Sequence, residues 1–452
     1  MVPVTTRLLS PEQYGISSLI TTVTSFMFVL CCLGMEQGFV RFFYDEKEEN
    51  RGDLLYKCLY YPFFISVVLY IFIFIFRNKI SVFFLGKENS CIWLILLLSI
   101  FFTTLQNFSL LGIRMKQRGT MYSFCNVMLK AIEFLLIIIL YRKYGDSYQT
   151  LVLAVLGALI VTTLFSLYLE KDLWKFKGNS KTTKKELFYF CAPLTLTMAM
   201  TWIFGSSDKI AIKILADLTE LGLYTGAFKI VALLSVVQSG FTNFWTPVVY
   251  EHYSKNPEDL EFYKKANDYL SFIFFILGIG ILLSRNLIIL LLGQKYYSSI
   301  FIMPMLIFVP IMYLISETTF MGIAFKKKTK YFLYITFFVA VANIFGNILL
   351  IPKFGAKGAA ISTGISYILF FYLRTYFSVK LVNFGFNLKR IYLAIFLMMI
   401  YAVYLSFNNN ILLDIMIGII LETIVCLLYL SEIRFLMSQY ILKYTKQWLN
   451  NK

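Results

Sequence analysis

The chain carries one histidine, His252, and none of its seven cysteines forms a CxxC pair. A histidine-based metal site is therefore excluded. Cys31, Cys32, Cys58, Cys91, Cys125, Cys191 and Cys426 lie in or beside apolar runs and read as small buried hydrophobes. Charge is scarce as well: 15% of residues are charged, against about 25% in soluble domains. Walker A, GxSxG and HExxH motifs are absent, so nothing points to a hydrolase or a synthase. No cofactor is expected. Without an ATP site, any driving force must come from ions, membrane potential or downstream use of product. The opening MVPVTTRLLSPEQYG lacks the basic and apolar regions of a signal peptide and reads as a helix tail followed by a turn.

What is present is apolar. Hydrophobic residues make up 59% of the 452, aromatics 18%, and mean hydropathy is +0.72. A helix needs roughly 20 apolar residues to cross the hydrocarbon core. Such runs recur at 16–40, 55–76, 91–113, 121–141, 149–169, 187–207, 221–245, 267–290, 300–323, 331–350, 356–378, 391–407 and 411–430. This pattern predicts an all-α polytopic membrane protein with 13 spans; a transmembrane barrel would show short alternating segments instead.

The net charge is +17. Nucleic acid is not the expected partner, because the basic residues punctuate apolar runs and form no basic face of a soluble module. Alternate loops hold about 28 of the basic residues, including Arg51, Arg114 to Arg118, Lys171 to Lys185, Lys264-Lys265, Lys326 to Lys328 and Lys389-Arg390. The positive-inside rule places these loops, and the C-terminus, in the cytoplasm.

An offset of about 207–210 residues superposes several features. Leu9 to Gly15 falls over Leu218 to Gly222, Phe43-Tyr44-Asp45 over Val249-Tyr250-Glu251, and Arg118 and Tyr122 near Lys328 and Tyr331. Lys143-Tyr144-Gly145 matches Lys353-Phe354-Gly355 at the same point after a span. Two pseudo-symmetric six-helix lobes are expected, plus two C-terminal helices. The span at 187–207 opens the second copy, and its counterpart would precede residue 1. The expectation is thus 13 of 14 spans, with the first helix missing. The lobes are placed at 1–170 and 186–380, the extra spans at 391–430 and a cytoplasmic tail at 431–452. An even number of spans makes the repeats parallel, with a substrate cavity expected at their interface.

Embedded charge is costly and marks candidates. Lys130 lies mid-span with Glu133 on the same helix face, as a buried pair or as a cavity cation tuned by its neighbour. Glu36 and Arg41 cluster at one end of the first span, where Arg41 either snorkels or lines a cavity mouth. Asp208 and Lys209 are read at a helix end, as an interfacial pair or a cavity rim, and Lys229 about two turns into the next span. Glu317 is a lone carboxylate in a span kinked by Pro304 and Pro310, carrying a proton, binding a cation or packing helices. Asn343, Asn347, Asp414 and Glu422 read as helix-packing residues. Arg41, Lys130, Lys209 and Lys229 together suit an anionic substrate such as a pyrophosphate headgroup, with Glu36, Glu133, Asp208 and Glu317 as ion-coupling candidates. A drug antiporter for organic cations would more naturally show acids and aromatics.

Five stretches carry a resemblance: TRLLSPEQYG (6–15), LGMEQGFVRFFYDE (33–46), SSDKIAIKILADLTELGLYTGAFKI (206–230), LLGQKYYSSIFIMPML (291–306) and IPKFGAKGAAISTGISY (351–367). Together they resemble the Wzx-type polysaccharide flippases of the multidrug/oligosaccharidyl-lipid/polysaccharide exporter superfamily. The resemblance implies a 14-helix, two-lobed fold in the bacterial cytoplasmic membrane. It implies flipping of undecaprenyl-diphosphate-linked oligosaccharides to the outer leaflet by alternating access, without enzymatic activity. Partners would be that substrate, membrane lipid, and the polymerase and chain-length regulator of the same pathway. By position it extends to Arg41, Asp208, Lys209 and Lys229. The alternatives are a multidrug or cation antiporter, a peptidoglycan-precursor flippase, a non-transporting scaffold or a polysaccharide polymerase.

Overall fold

The computed structural model describes residues 1–86, 88, 91–328, 330–434 and 438; the rest of the expected tail lies outside the described residues. Among the described residues every regular element is helical. The first ten α-helices are α1 (Val2–Leu8), α2 (Pro11–Cys32), α3 (Met35–Phe42), α4 (Arg51–Ile75), α5 (Arg77–Leu85), α6 (Ile92–Met115), α7 (Gly119–Tyr144), α8 (Tyr148–Leu169), α9 (Lys184–Leu215) and α10 (Leu218–Val231). Then follow α11 (Leu234–Lys255), α12 (Leu260–Leu283), α13 (Arg285–Ile288), α14 (Met303–Leu306), α15 (Phe308–Thr319), α16 (Met321–Phe325), α17 (Lys330–Phe354), α18 (Ala356–Leu381), α19 (Leu388–Phe407) and α20 (Ile411–Leu428).

Eleven of these helices are long and apolar enough to cross a membrane, or 13 spans if each of two bent pairs counts as one. The bent pairs are α10 with α11, at 41°, and the 3-10 segment Gln294–Phe301 with Met303–Thr319, at 60°. Apolar side chains left uncovered by protein, among them Phe63, Val68, Leu164, Phe345 and Leu412, stud the spans. In a bilayer that surface meets acyl chains while each helix satisfies its own backbone.

Local chemistry sets the breaks. α2 starts at Pro11, whose missing N–H suits a first helical turn. Ahead of it, the Ser10 N–H and hydroxyl donate to Asp146 at 2.7 and 3.0 Å. α2 stops at Leu33 and Gly34, both at positive φ (48° and 69°). The expected span 16–40 is therefore two helices with a left-handed corner between them. The span expected at 187–207 instead runs on to Leu215: Ile210 to Leu215 contains no breaker, and a charged pair alone does not end a helix.

Packing divides the chain into two units. The first comprises Pro3–Lys213 with Asp217–Gly222, the second Ile214–Ala216 with Leu223 onward. α9, expected to open the second lobe, thus groups with the first unit. Its Leu187 and Cys191 share a core with Cys32, Met35, Phe39, Leu54, Cys58 and Phe108, and Trp202 donates its indole N–H to Ser25 Oγ at 2.9 Å. Within the same unit, Gly15 and the turn at 218–222 approach backbone to backbone. A Cβ at Gly15 would collide with the Leu218 carbonyl, and one at Gly222 with the Pro11 carbonyl. The two glycines are 207 residues apart, each meets the carbonyl four residues ahead of the other, and only glycine permits so close an approach.

The repeat is visible in backbone geometry inside each unit. After α7, Gly145 stands at φ 60°, ψ −143°; after α17, Gly355 stands at φ 57°, ψ −136°. That region belongs almost entirely to glycine. At an offset of 210, GIRMKQR (112–118) and GIAFKKK (322–328) close their helices with the same three hydrogen bonds. Lys116, Gln117 and Arg118 N–H donate to Gly112, Arg114 and Ile113 carbonyls; Lys326, Lys327 and Lys328 donate to Gly322, Ala324 and Ile323. Gln117 and Lys327 both sit at positive φ, 57° and 53°.

Candidate functional site

Lys130 stands near the middle of α7, eleven residues after Gly119 and fourteen before Tyr144. Its ammonium contacts Glu133 at 2.7 Å; 65% of the lysine side chain is uncovered by protein and 10% of the glutamate. Helical i, i+3 spacing brings them together as the sequence predicts. Glu133 is anchored in the bundle and the cation projects from it. A lysine at this depth is unlike one at a helix end, because lipid cannot solvate it.

Arg41, in the last turn of α3, pairs with Asp45 at 2.7 Å, and both side chains are more than half exposed. Glu36, one turn earlier, is buried at 5% exposure with neither carboxylate oxygen hydrogen-bonded. Its neighbours include three thiols, Cys32 from α2, Cys58 from α4 and Cys191 from α9, each of which interacts with it electrostatically. The structure brings Glu36 into the first unit's core, while Arg41 faces outward.

Asp208 and Lys209 lie inside α9, not at its end as expected; Asp208 is buried and Lys209 half-buried. Lys229 is exposed in the last turn of α10, next to the bend into α11. The expected continuous span around it is broken there, so the lysine meets the negative end of a helix dipole.

Glu317 is not a lone carboxylate. Arg374 of α18 donates to it at 2.9 Å and to Ser316 Oγ at 2.5 Å. Both side chains are nearly covered, at 6% and 4% exposure. The guanidinium lies 4.1 Å from the Phe320 ring centre, 5.0 Å from Phe370 and 5.4 Å from Tyr313. Trp245 donates its indole N–H to the Glu317 carbonyl at 3.2 Å. A buried pair this well enclosed is a strut between α15 and α18.

Two further arginine ion pairs, one buried and one half-buried, are not evident from the sequence. Arg285, fully covered, donates to Asp414 at 2.6 Å and to the Asn408 and Leu405 carbonyls, tying the α19–α20 turn to α13. Arg390 joins Asp268 at 2.6 Å and Glu432 at 2.8 Å beneath the Tyr429 ring. The signal available was an acid and an arginine in separate apolar runs, which on energetic grounds seek each other. Asn343 and Asn347 are buried in α17: Asn347 donates to Asn343 within the helix at 3.1 Å, and Asn343 donates across to Thr363 of α18 at 3.4 Å.

Spans of this number, with duplicated turn geometry, define a multi-pass all-α membrane protein. The chain belongs to the family described as polysaccharide biosynthesis protein, whose profile matches residues 4–301. Protein 1 of the Lsg locus of Haemophilus influenzae is 23% identical over 336 residues, covering 71% of this chain and 80% of that one. Among solved structures, the lipid II flippase MurJ in its inward closed conformation matches with a TM-score of 0.67 at 21% identity, over 94% of each chain. At that identity the likeness is one of fold. The expected kinship with polysaccharide flippases and the all-α polytopic fold are both borne out.

Proposed function

We propose that the chain flips an undecaprenyl-diphosphate-linked oligosaccharide across the bacterial cytoplasmic membrane by alternating access, for surface polysaccharide assembly. The observation that carries this reading is Lys130: a cation deep in an apolar helix, anchored by Glu133 yet mostly uncovered. It needs an aqueous path and an anion, and a diphosphate headgroup supplies the anion. Arg41, Lys209 and Lys229 are the further cations proposed to meet the headgroup. Glu36, Glu133, Asp208 and Glu317 are the acids proposed to couple ion movement, with Glu317 acting through Arg374. Membership of a polysaccharide biosynthesis family supports the substrate class. The basic loops are proposed to face the cytoplasm, together with the C-terminus. A polymerase and a chain-length regulator are the proposed pathway partners.

Replacing Lys130 or Lys229 by Ala is expected to abolish surface polysaccharide while the protein stays in the membrane at normal levels. Normal polysaccharide in both variants would sink this reading. The fold likeness to a lipid II flippase keeps peptidoglycan-precursor export as the second reading. Rescue of a strain depleted of its own lipid II flippase, without restored surface polysaccharide, would favour it.

A further inference from the structure

Three loops of the first unit line an open cavity of 760 Å³ that contains none of the candidate site residues described above. Its walls come from Tyr44 and residues 48–52 around the start of α4, residues 115–118 from the end of α6 toward α7, and residues 172–177 between α8 and α9. All three belong to the basic set of loops. The lining carries five cations, Arg51, Lys116, Arg118, Lys175 and Lys177, against three carboxylates, Glu48, Glu49 and Asp172.

The walls are tied to one another. The Tyr44 hydroxyl donates to the Met115 carbonyl, and the Asp53 N–H to the Lys177 carbonyl at 3.1 Å. The Asp53 carboxylate accepts from Ser180 N–H and hydroxyl at 2.9 and 2.7 Å. Glu46 accepts from both groups of Thr182 at 2.8 Å. Gly52 leaves room for this contact, since a Cβ there would stand 3.0 Å from Lys177 N and O. Phe176 is held at φ 51°, a cost that such clamped loops absorb.

Neighbouring groups hold the cations in place, and Lys175 pairs with Asp172 at 2.6 Å. Glu170, with a fully covered side chain, holds Lys116 at 2.6 Å and Arg118 at 3.5 Å from behind the wall. Arg51 stacks 4.3 Å over Phe43 and reaches Glu48 only at 3.3 Å, with 90% of the glutamate side chain in the open. Lys177 makes no ion pair among the described residues. With Glu170 counted, five cations face four acids. Beside the cavity, Phe176 and Tyr56 are exposed with ring centres 5.8 Å apart, and Trp174 is 5.8 Å from Phe176. Exposed aromatics of this kind mark headgroup depth in a bilayer.

We propose that this cavity binds the phosphate-bearing headgroup of an anionic lipid from the leaflet on the side of the basic loops. Basic pockets at that depth hold such headgroups, guanidinium and ammonium groups match phosphate oxygens, and the aromatic rim gives the lipid body its apolar neighbour. The volume lies within the range of about 300–1,000 Å³ of small-molecule sites. The site does not depend on which saccharide the protein moves.

Native mass spectrometry of the full chain in detergent, titrated with phosphatidic acid or phosphatidylcholine, tests this. Phosphatidic acid is expected to be retained over phosphatidylcholine, and less so as salt rises. Combining Lys116→Ala with Lys177→Glu is expected to weaken retention about tenfold, an effect of about 1.4 kcal/mol, while Lys265→Ala, on an exposed helix face, leaves it unchanged. Equal retention of the two lipids, or unaltered retention in the double variant, overturns the proposal. Displacement of the lipid by an equal concentration of inorganic phosphate would make it a site for a soluble anion and overturns it too. If the double variant fails to fold because Glu170 loses its partner, Lys177→Glu alone decides, since that exposed side chain holds no other residue.

Discussion

Lys130 and Glu133 lie 2.7 Å apart, Arg374 and Glu317 2.9 Å apart; yet 65% of the first cation's side chain is uncovered and 6% of the second's. Length alone would rank the pairs as equals. Shifted by 210 residues, Lys130 and Glu133 fall on Ala340 and Asn343, while Glu317 and Arg374 fall on Asn107 and Leu164. Each half has charge where the other has none. In the first unit, α6 and α8 are joined by a neutral bond, Gln106 to Thr162 at 2.8 Å; in the second, the matching α15 and α18 are joined by the ion pair. One scaffold holds its helices with a strut and the other does not need one, which leaves the Lys130 pair available for other work.

The largest effect should come from breaking the strut. Arg374→Ala strands Glu317 in a covered site and is expected to destabilise the protein by about 3–5 kcal/mol, seen as a lower melting temperature in detergent and loss from the membrane. Importing the first unit's solution, Arg374→Leu with Glu317→Asn, should recover most of that loss; a double variant no better than the single one would show that the pair is more than a strut. Lys130→Ala, which removes a cation that projects from the bundle, should lower the melting temperature less than Arg374→Ala does; an equal drop would erase the distinction between the pairs.

The smallest effect is one of pH. Burial pushes the Glu46 carboxyl up, but the hydrogen bonds from Thr182, aided by Lys181 N–H and Lys57, outweigh it and hold the group below its ordinary 4.5. A depressed folded value means stabilisation that is complete above 4.5 and is lost as pH falls through the lower, folded value. Protection of the Thr182 amide, measured against its intrinsic exchange rate, should therefore fall below about pH 4.5, and Glu46→Gln should remove that dependence.

The spans were legible because lipid demands long apolar runs and tolerates few exceptions. Lys143-Tyr144-Gly145 and its counterpart were legible because one backbone conformation admits only glycine. The Gly112-Ile113 and Gly322-Ile323 match escaped notice, since its common element is a hydrogen-bond pattern more than a composition. Glu317 read as solitary because its partner lies 57 residues away, and nothing in a one-dimensional pattern says which face of α18 meets α15. Charge after an apolar run suggests a helix end at Asp208 and Lys209, but propensity there favours continuation, and the helix continues to Leu215.

The crossing of Gly15 with the turn at 218–222 has a consequence for how such a chain can change. Duplicated segments ordinarily drift apart, each residue free of its twin's history. Here each glycine is shaped around the carbonyl beside the other copy's turn, so a methyl group gained at either position is refused by backbone that no side-chain adjustment can move. A substitution at either of two positions 207 residues apart in the chain therefore forces the same two helix starts apart.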